Sequence, residues 1–500
     1  MKLTNRIIVF YFISILFSAE SKIVAFDGAV DDRFGKAVSL STNWFAIGAN
    51  RDDDNGSNSG SVYVYKYENN AILSEQKLVA FDGSDNDYFG KSLSLHDNWL
   101  VVSSLYDNVN GEKSGSVYVF NLLDDTWYFH SKLVPPDGQP FDRFGYAVDI
   151  YGSIIAVSAV YDDDVGQDTG SVYTYRLEND IWNYESKLFS SYASDGDFFG
   201  ICVSCEENII AISAIYDDNI GSVTLFKYDG LWSETQRIIP QDAQEYDLFG
   251  NSIDLNNSFL IVGSFHDDSI YNNSGSVYVY KTENDNLYNQ LIKISPFDES
   301  LNDNFGQSVA IYDNYISVGS INDDNGVNSG SVYIYNLYED IILNEFKYTP
   351  EDISDFDEFS GSVSLFENNL LVGAQFDDDL GASSGSAYLF TYKGCSDQNA
   401  CNYDETFISD NSICVYTENN FDCNGECSEL VDECGVCGGM GVSGDINYDN
   451  VINIVDVVLI IEYILQSNIH DVNHCSLDIS LNGIVNVTDV IMLLEIILNE

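Results

Sequence analysis

Two short stretches near the C-terminus place oxygen-bearing side chains at alternate positions. The first runs Asp445, Asn447, Asp449, Val451, Asn453 and Asp456; the second runs Asp478, Ser480, Asn482, Ile484, Asn486 and Asp489. These are the spacings at which a loop wraps a hard divalent cation in oxygens, with Val451 and Ile484 supplying backbone carbonyls, and the cofactor they call for is Ca2+. The sharp turn in the middle is Gly483 in the second loop and Asn450 in the first, and Asn enters the left-handed region more readily than most residues. Ser480 and Asn482 leave the second loop with fewer charges, so it is expected to bind more weakly. Each loop leads into an apolar segment that reads as a helix, VVLIIEYIL and then VIMLLEIIL.

Upstream, aspartates recur in two sets. One stands two residues before each FG phenylalanine or its FSG variant, at Asp32, Asp87, Asp142, Asp197, Asp247, Asp303 and Asp357; the other comprises Asp52, Asp107, Asp162, Asp217, Asp267, Asp323 and Asp377. Asp52, Asp53, Asp162, Asp163, Asp217, Asp267, Asp323 and Asp377 are the candidates for a loop metal or ligand. The competing role is to accept loop N–H groups and set turns. Repetition in every copy favours the turn role, since a binding site needs asymmetry. His96, His130, His266, His470 and His474 fall in unrelated contexts, without a nucleophile or metal-ligand spacing beside them, and no catalytic constellation emerges.

The elements that carry these residues follow from internal repetition. FG occurs at Phe34, Phe89, Phe144, Phe199, Phe249 and Phe305, with FSG at Phe359, and a GSVYVY-like segment follows in each copy, from Gly60 to Gly385. Each copy reads as four short strands separated by Asn, Asp, Gly and Ser turns. Val62 and Val64 alternate with Tyr63 and Tyr65, so both faces of that strand are covered, as when blades stack about an axis. No fourth strand follows the last GSAYLFTY, whereas SKIVAFDG at Ser21 matches QKLVAFDG at Gln76. The N-terminal segment is therefore expected to complete the last blade and remove the open edges. With opposite strand directions, both aspartate sets emerge on one side of the ring. The fourth copy is the odd one, with a shorter second loop and with Cys202 and Cys205, which three-residue spacing directs to opposite faces.

These repeats resemble the FG-GAP family, which includes the propeller of integrin α chains. The resemblance implies a mainly β fold, a seven-bladed β-propeller of four-stranded blades closed by the N-terminal strand. The calcium loop of integrin blades is only loosely approached by RDDDNG from Arg51 and YDDDVG from Tyr161.

Composition bounds the rest. A formal charge of −60 repels nucleic acid and favours cations. Lys2, Arg6 and the apolar run from Ile7 to Phe17 read as a signal peptide, too short for a transmembrane anchor. Export to the extracellular space or a bacterial cell surface fits Cys395, Cys401, Cys414, Cys423, Cys427, Cys434, Cys437 and Cys475, read as disulfide candidates of open connectivity. The duplicated loop and helix resemble a type I dockerin, which implies a small α-helical Ca2+-binding domain and a cohesin-like or cell-surface partner. Dockerins commonly present Ser-Thr to that partner where this chain has Ile454-Val455 and Val487-Thr488. The expected order is a signal peptide over 1–21, the ring over 22–393, a cysteine-rich, disulfide-rich module over 394–440 and the dockerin-like domain over 441–500. The expected function is non-enzymatic binding or adhesion to an extracellular protein or glycan; the alternative is a carbohydrate-active enzyme carried by the tail.

Overall fold

The structure is a computed structural model that describes residues 19–68, 71–268, 271–282, 287–323, 328–338, 340–391, 444–446, 451–465, 477–480 and 484–499. The chain forms two compact units, Met1–Lys393 and Gly394–Glu500. In the first, twenty-eight strands, numbered β1 to β28 in chain order, make seven four-stranded antiparallel sheets among the described residues. The first blade is β2 (Phe34–Ser41), β3 (Trp44–Ala49), β4 (Ser61–Glu68) and β5 (Ala71–Leu78), paired in that order. The strand that opens each blade touches its counterpart on either side. These are β2, β6 (Phe89–His96), β10 (Phe144–Tyr151), β14 (Val203–Glu206), β18 (Ile253–Leu255), β22 (Phe305–Tyr312) and β26 (Ser362–Phe366), and their contacts run round to β2 again. They line the axis of a closed seven-bladed propeller.

The seventh blade is built from both ends of the ring. β26, β27 (Asn369–Ala374) and β28 (Ser386–Thr391) are completed by β1 (Ala19–Ile23), with Lys22 opposite Tyr388 and Ile23 opposite Ala387. This is the closure expected from the sequence, although the strand takes in Ala19 and Glu20 ahead of Ser21.

The alternation in β4 explains why blades stack. Tyr63 and Tyr65 join a buried cluster with Leu371 and Leu389 of the seventh blade, while Val62 and Val64 join one with Leu100 and Val102 of the second. Each such side chain contributes about 2 kcal/mol on burial. The FG phenylalanine is the hinge of this packing. Phe34 meets Tyr63 edge to face at 5.2 Å, as Phe89 meets Tyr118 at 5.3 Å. Its N–H crosses to the preceding blade, Phe89 to Ser59 O at 2.9 Å and Phe34 to Ser384 O at 3.0 Å. The glycine after it stands at φ 89° in Gly35, where a Cβ would lie 2.2 Å from the Ser386 carbonyl oxygen. A side chain at Gly35 would collide with that carbonyl. In the FSG variant, Ser360 takes that position at φ 76° and its Oγ accepts the Ser320 N–H at 3.0 Å.

The cysteines of the fourth copy are free thiols on opposite sides of their blade. Cys205 is buried toward the third blade with Ile154 and Ala156, and the half-buried Cys202 packs toward the fifth. In the second unit, α1 (Ile454–Leu465) and α2 (Val487–Asn499) pack together over Ile446, Val457, Ile460, Leu477, Ile479, Val490 and Leu493. The disulfide candidates Cys395, Cys401, Cys414, Cys423, Cys427, Cys434, Cys437 and Cys475 lie outside the described residues.

Candidate functional site

All seven aspartates ahead of the FG motif are buried, and each caps its own loop. Asp32 Oδ2 accepts the Ala29 N–H at 2.6 Å, and Asp87, Asp142, Asp197, Asp247, Asp303 and Asp357 accept the N–H three residues upstream at 2.6 to 2.7 Å. Burial outweighs that N–H and pushes Asp32, Asp87, Asp142, Asp247 and Asp357 up to about 6. The backbone oxygen of Asp32 accepts the Arg51 N–H at 3.2 Å, as Asp87 O accepts Tyr106 N–H at 3.1 Å. The two aspartate loops therefore meet on one face, as strand direction required.

The second set is held differently. The Lys77 ammonium, on β5, lies 2.7 Å from Asp52, 2.8 Å from Asp27 and 2.7 Å from Asp54. Lys132 bonds Asp107 and Asp82 at 2.6 and 2.8 Å, and Lys187 bonds Asp162, Asp137 and Asp164 at 2.6, 3.0 and 2.5 Å. Lys293 joins Asp267 and Asp242, Lys347 joins Asp323 and Asp298, and Lys22 of β1 joins Asp377, Asp352 and Asp379. The Tyr63 hydroxyl stands 2.6 Å from Asp27 and 3.0 Å from Asp52, and five further blade tyrosines repeat its bond to a loop aspartate. Against a partial desolvation that would raise it, the Lys77 ammonium and the donating Tyr63 hydroxyl hold the exposed Asp27 below the usual carboxylate range. In the fourth blade Arg237 grips Asp217 and Asp218 and lies 4.5 Å from the Tyr192 ring, while Thr224 stands where other blades have the tyrosine. The cation position between these carboxylates is thus filled from within the chain. Asp53 and Asp163 lie apart from it, exposed, each accepting a loop N–H at 2.6 Å from Asn58 or Asp168.

A third arrangement surrounds the axis. Five residues after the FG phenylalanine, a side-chain oxygen accepts an N–H of the next blade's inner strand. Ser39 accepts from Leu95, Ser94 from Ile150, Asp149 from Cys205, Ser204 from Leu255, Asp254 from Ile311 and Ser364 from Leu40. Ser94 and Ser204 also donate to Asp149 and Asp254. Burial pushes Asp149 up and Asp254 to about 7. Ala310 interrupts this belt between the sixth and seventh blades. Where β2 turns into β3, a recess of about 410 Å3 is lined by Trp44, Lys66, Asp97, Leu122 and Asp125.

In the second unit the closing aspartate of each loop is held by backbone N–H groups, with one donor shifted by a residue between the loops: Ile446 directly follows Asp445, whereas Ser480 stands two residues after Asp478. Asp456 accepts the N–H groups of Ile446 and Asn453 at 2.9 and 2.8 Å, and Asp489 accepts those of Ser480 and Asn486 at the same distances. Those donors hold Asp489 below its ordinary range against the desolvation that would raise it. Asn453 and Asn486 cap α1 and α2 through the Val455 and Thr488 N–H groups, each at 2.8 Å, and turn their amides to the Val451 and Ile484 carbonyls at 3.0 Å. Asp445, Asp456, Asp478 and Asp489 are all buried. Residues 394–500 contain no Lys or Arg, so no side-chain ammonium or guanidinium of this unit can neutralise them, and a bound cation would supply the balancing charge. The set fits Ca2+. Asn447, Asp449 and Asn482 lie outside the described residues.

The sequence model of the FG-GAP repeat matches seven segments, residues 17–65, 73–120, 127–175, 182–226, 232–280, 288–335 and 343–390. The chain belongs to the FG-GAP repeat family. Each FG-GAP segment runs out of phase with its blade by one strand, taking the outer strand of one blade and three strands of the next, so the repeat itself forces the closure made by β1. The dockerin type I domain matches residues 443–498. No curated protein matches the chain. Sequence reasoning missed the cations of the FG-GAP loops, although Lys22, Lys77, Lys132, Lys187, Arg237, Lys293 and Lys347 recur in the phase of the FG dipeptide and would have disclosed them.

Proposed function

We propose that this protein is an exported, non-enzymatic binding protein, whose FG-GAP ring recognises an extracellular protein or glycan and whose dockerin domain tethers it to a cohesin-bearing scaffold or surface in a Ca2+-dependent way. The observation that carries the tether is the set of four buried carboxylates in a unit without Lys or Arg. Asp445, Val451, Asn453 and Asp456 would hold one ion, and Asp478, Ser480, Ile484, Asn486 and Asp489 the other; each ion supplies the positive charge that lets its loop close on its helix. Ile454, Val455 and Val458 on α1 and Val487 and Ile491 on α2 are exposed at 49 to 62%. A paired apolar face of this kind suits a protein partner, of different specificity from one that reads hydroxyls.

On the ring, the described loop carboxylates are engaged by lysines, tyrosines and backbone, which suits a fixed recognition surface. Binding of the purified chain to a glycan array, with reducing-sugar release measured in parallel, tests the ring. Binding without release is expected, and release would establish the enzyme alternative. Capture by immobilised cohesins in Ca2+ and its loss in EDTA test the tail.

A further inference from the structure

On two adjacent inner strands of the ring, two lysines stand side by side without an ion-pair partner among the described residues. Lys36 and Lys91 occupy the same register on the adjacent inner strands β2 and β6, two residues after the FG phenylalanine. Tyr146 follows in β10, its ring centroid 5.6 Å from the Lys91 ammonium. Around the rest of this tier stand Ile201, Asn251, Gln307 and Gly361, all uncharged. Both lysines are half-buried. Among the described residues no carboxylate bonds either one, in a chain where acids outnumber bases 80 to 20. Lys91 is the foremost influence that, with burial, holds Lys36 down to about 7; Arg33 and Arg51 add to it and Glu358 opposes. A half-buried pair of like charges costs stability unless an anion joins it.

The surroundings say what kind of anion. Tyr146 lies among Tyr106, Tyr161 and Arg143. The Arg143 guanidinium rests 4.0 Å from the Tyr161 ring and 5.3 Å from Tyr106, and Tyr88 meets Tyr106 edge to face at 5.1 Å. Tyrosine rings offer flat faces for the C–H face of a sugar and hydroxyls for its oxygens. The net charge of −60 repels a polyanion, which favours one carboxylate on an otherwise neutral molecule. We propose that this stretch of the inner strands binds a sugar acid at the end of an oligosaccharide, its carboxylate between Lys36 and Lys91 and its ring against the tyrosines of the second and third blades. This rests on the ring being a recognition module, and gives it an asymmetric site that seven equivalent loops do not.

Titrating a glucuronate-terminated oligosaccharide into the full chain by calorimetry tests the assignment. Binding is expected, at least tenfold weaker in Lys36→Met and in Lys91→Met, retained in Lys36→Arg and in Lys227→Met, with every variant checked for an unchanged circular dichroism spectrum. Because the carboxylate would restore the Lys36 charge, binding takes up a proton near neutrality, and affinity falls as pH rises above 7. No binding at millimolar sugar, equal binding by Lys36→Met, or equal binding of the glucose-terminated analogue would each overturn the site. Tighter binding of a triglutamate peptide would overturn the sugar. A glycan-array signal that survives in Lys36→Met would sink this site alone and leave the recognition reading standing.

Discussion

The Lys77 ammonium lies 2.7 Å from the buried Asp52 carboxylate, and that pair recurs, as lysine or arginine with aspartate, in all seven blades. A tethered monovalent cation differs from a bound one in that it cannot be chelated. The ring is accordingly expected to melt at the same temperature in Ca2+ and in EDTA. Lys77→Met should leave Asp27, Asp52 and Asp54 without their counter-charge and cost about 2 kcal/mol, with millimolar Ca2+ recovering part of the loss. Thermal melts of the two proteins with and without Ca2+ check this; a variant as stable as the parent would show the pair to be neutral in net effect.

Acidity should act on the ring in two opposed steps. Asp32, Asp87, Asp142, Asp247 and Asp357 titrate near 6 in the folded ring, above the unfolded value of about 4, so the folded state takes up protons first and stability rises as pH falls from 7 toward 5. Asp27, Asp82, Asp137, Asp242 and Asp352 are lowered, and the stability they supply is lost only below about 4. Denaturant midpoints across this range should peak between pH 4 and 5; a peak at pH 7 or above would contradict the account.

The belt round the axis predicts a stabilising substitution. Ala310 sits where Ser39, Ser94, Asp149, Ser204, Asp254 and Ser364 each supply an acceptor to the following blade. Ala310→Ser should supply one for the seventh blade and gain about 1 kcal/mol, while Ser39→Ala should lose a similar amount. Urea unfolding of both reads the signs.

Chelation should unfold the tail and spare the ring. In EDTA the helical circular dichroism of α1 and α2 should disappear with the β signal unchanged, and Asp456→Ala should reproduce the loss for the first loop even in Ca2+. Helical signal that persists in EDTA would show that Ile460, Leu493 and their neighbours suffice without the ion.

The architecture was legible because it is periodic. The phase of FG, the match of SKIVAFDG to QKLVAFDG and the alternation of Val62 to Tyr65 are one-dimensional signals, and seven blades closed by β1 follow from them. The turn role of Asp32 and its equivalents was legible for the same reason. What escaped are relations between residues about 25 apart, such as Lys77 with Asp52, or on different blades, such as Lys36 with Lys91. In the first case the lysine sits in a strand whose outward pattern looks like ordinary surface charge. In the second, only ring closure brings two inner strands together, and no local pattern marks a cation as lacking an acid. In the fourth blade Arg237, Tyr192 and Thr224 replace lysine, aspartate and tyrosine together, one cation contact exchanged for another.

β1 has a consequence for how the molecule comes into being. Ile23, among the first ring residues to leave the ribosome, finds its partner only at Ala387. Until then β28 presents an unpaired edge and β1 is a loose, strand-forming segment, the two conditions under which chains join to one another. So non-local a final contact delays completion until synthesis of the ring has ended. The last step of folding is a latch, and a chain cut short anywhere before β28 keeps the latch without its catch.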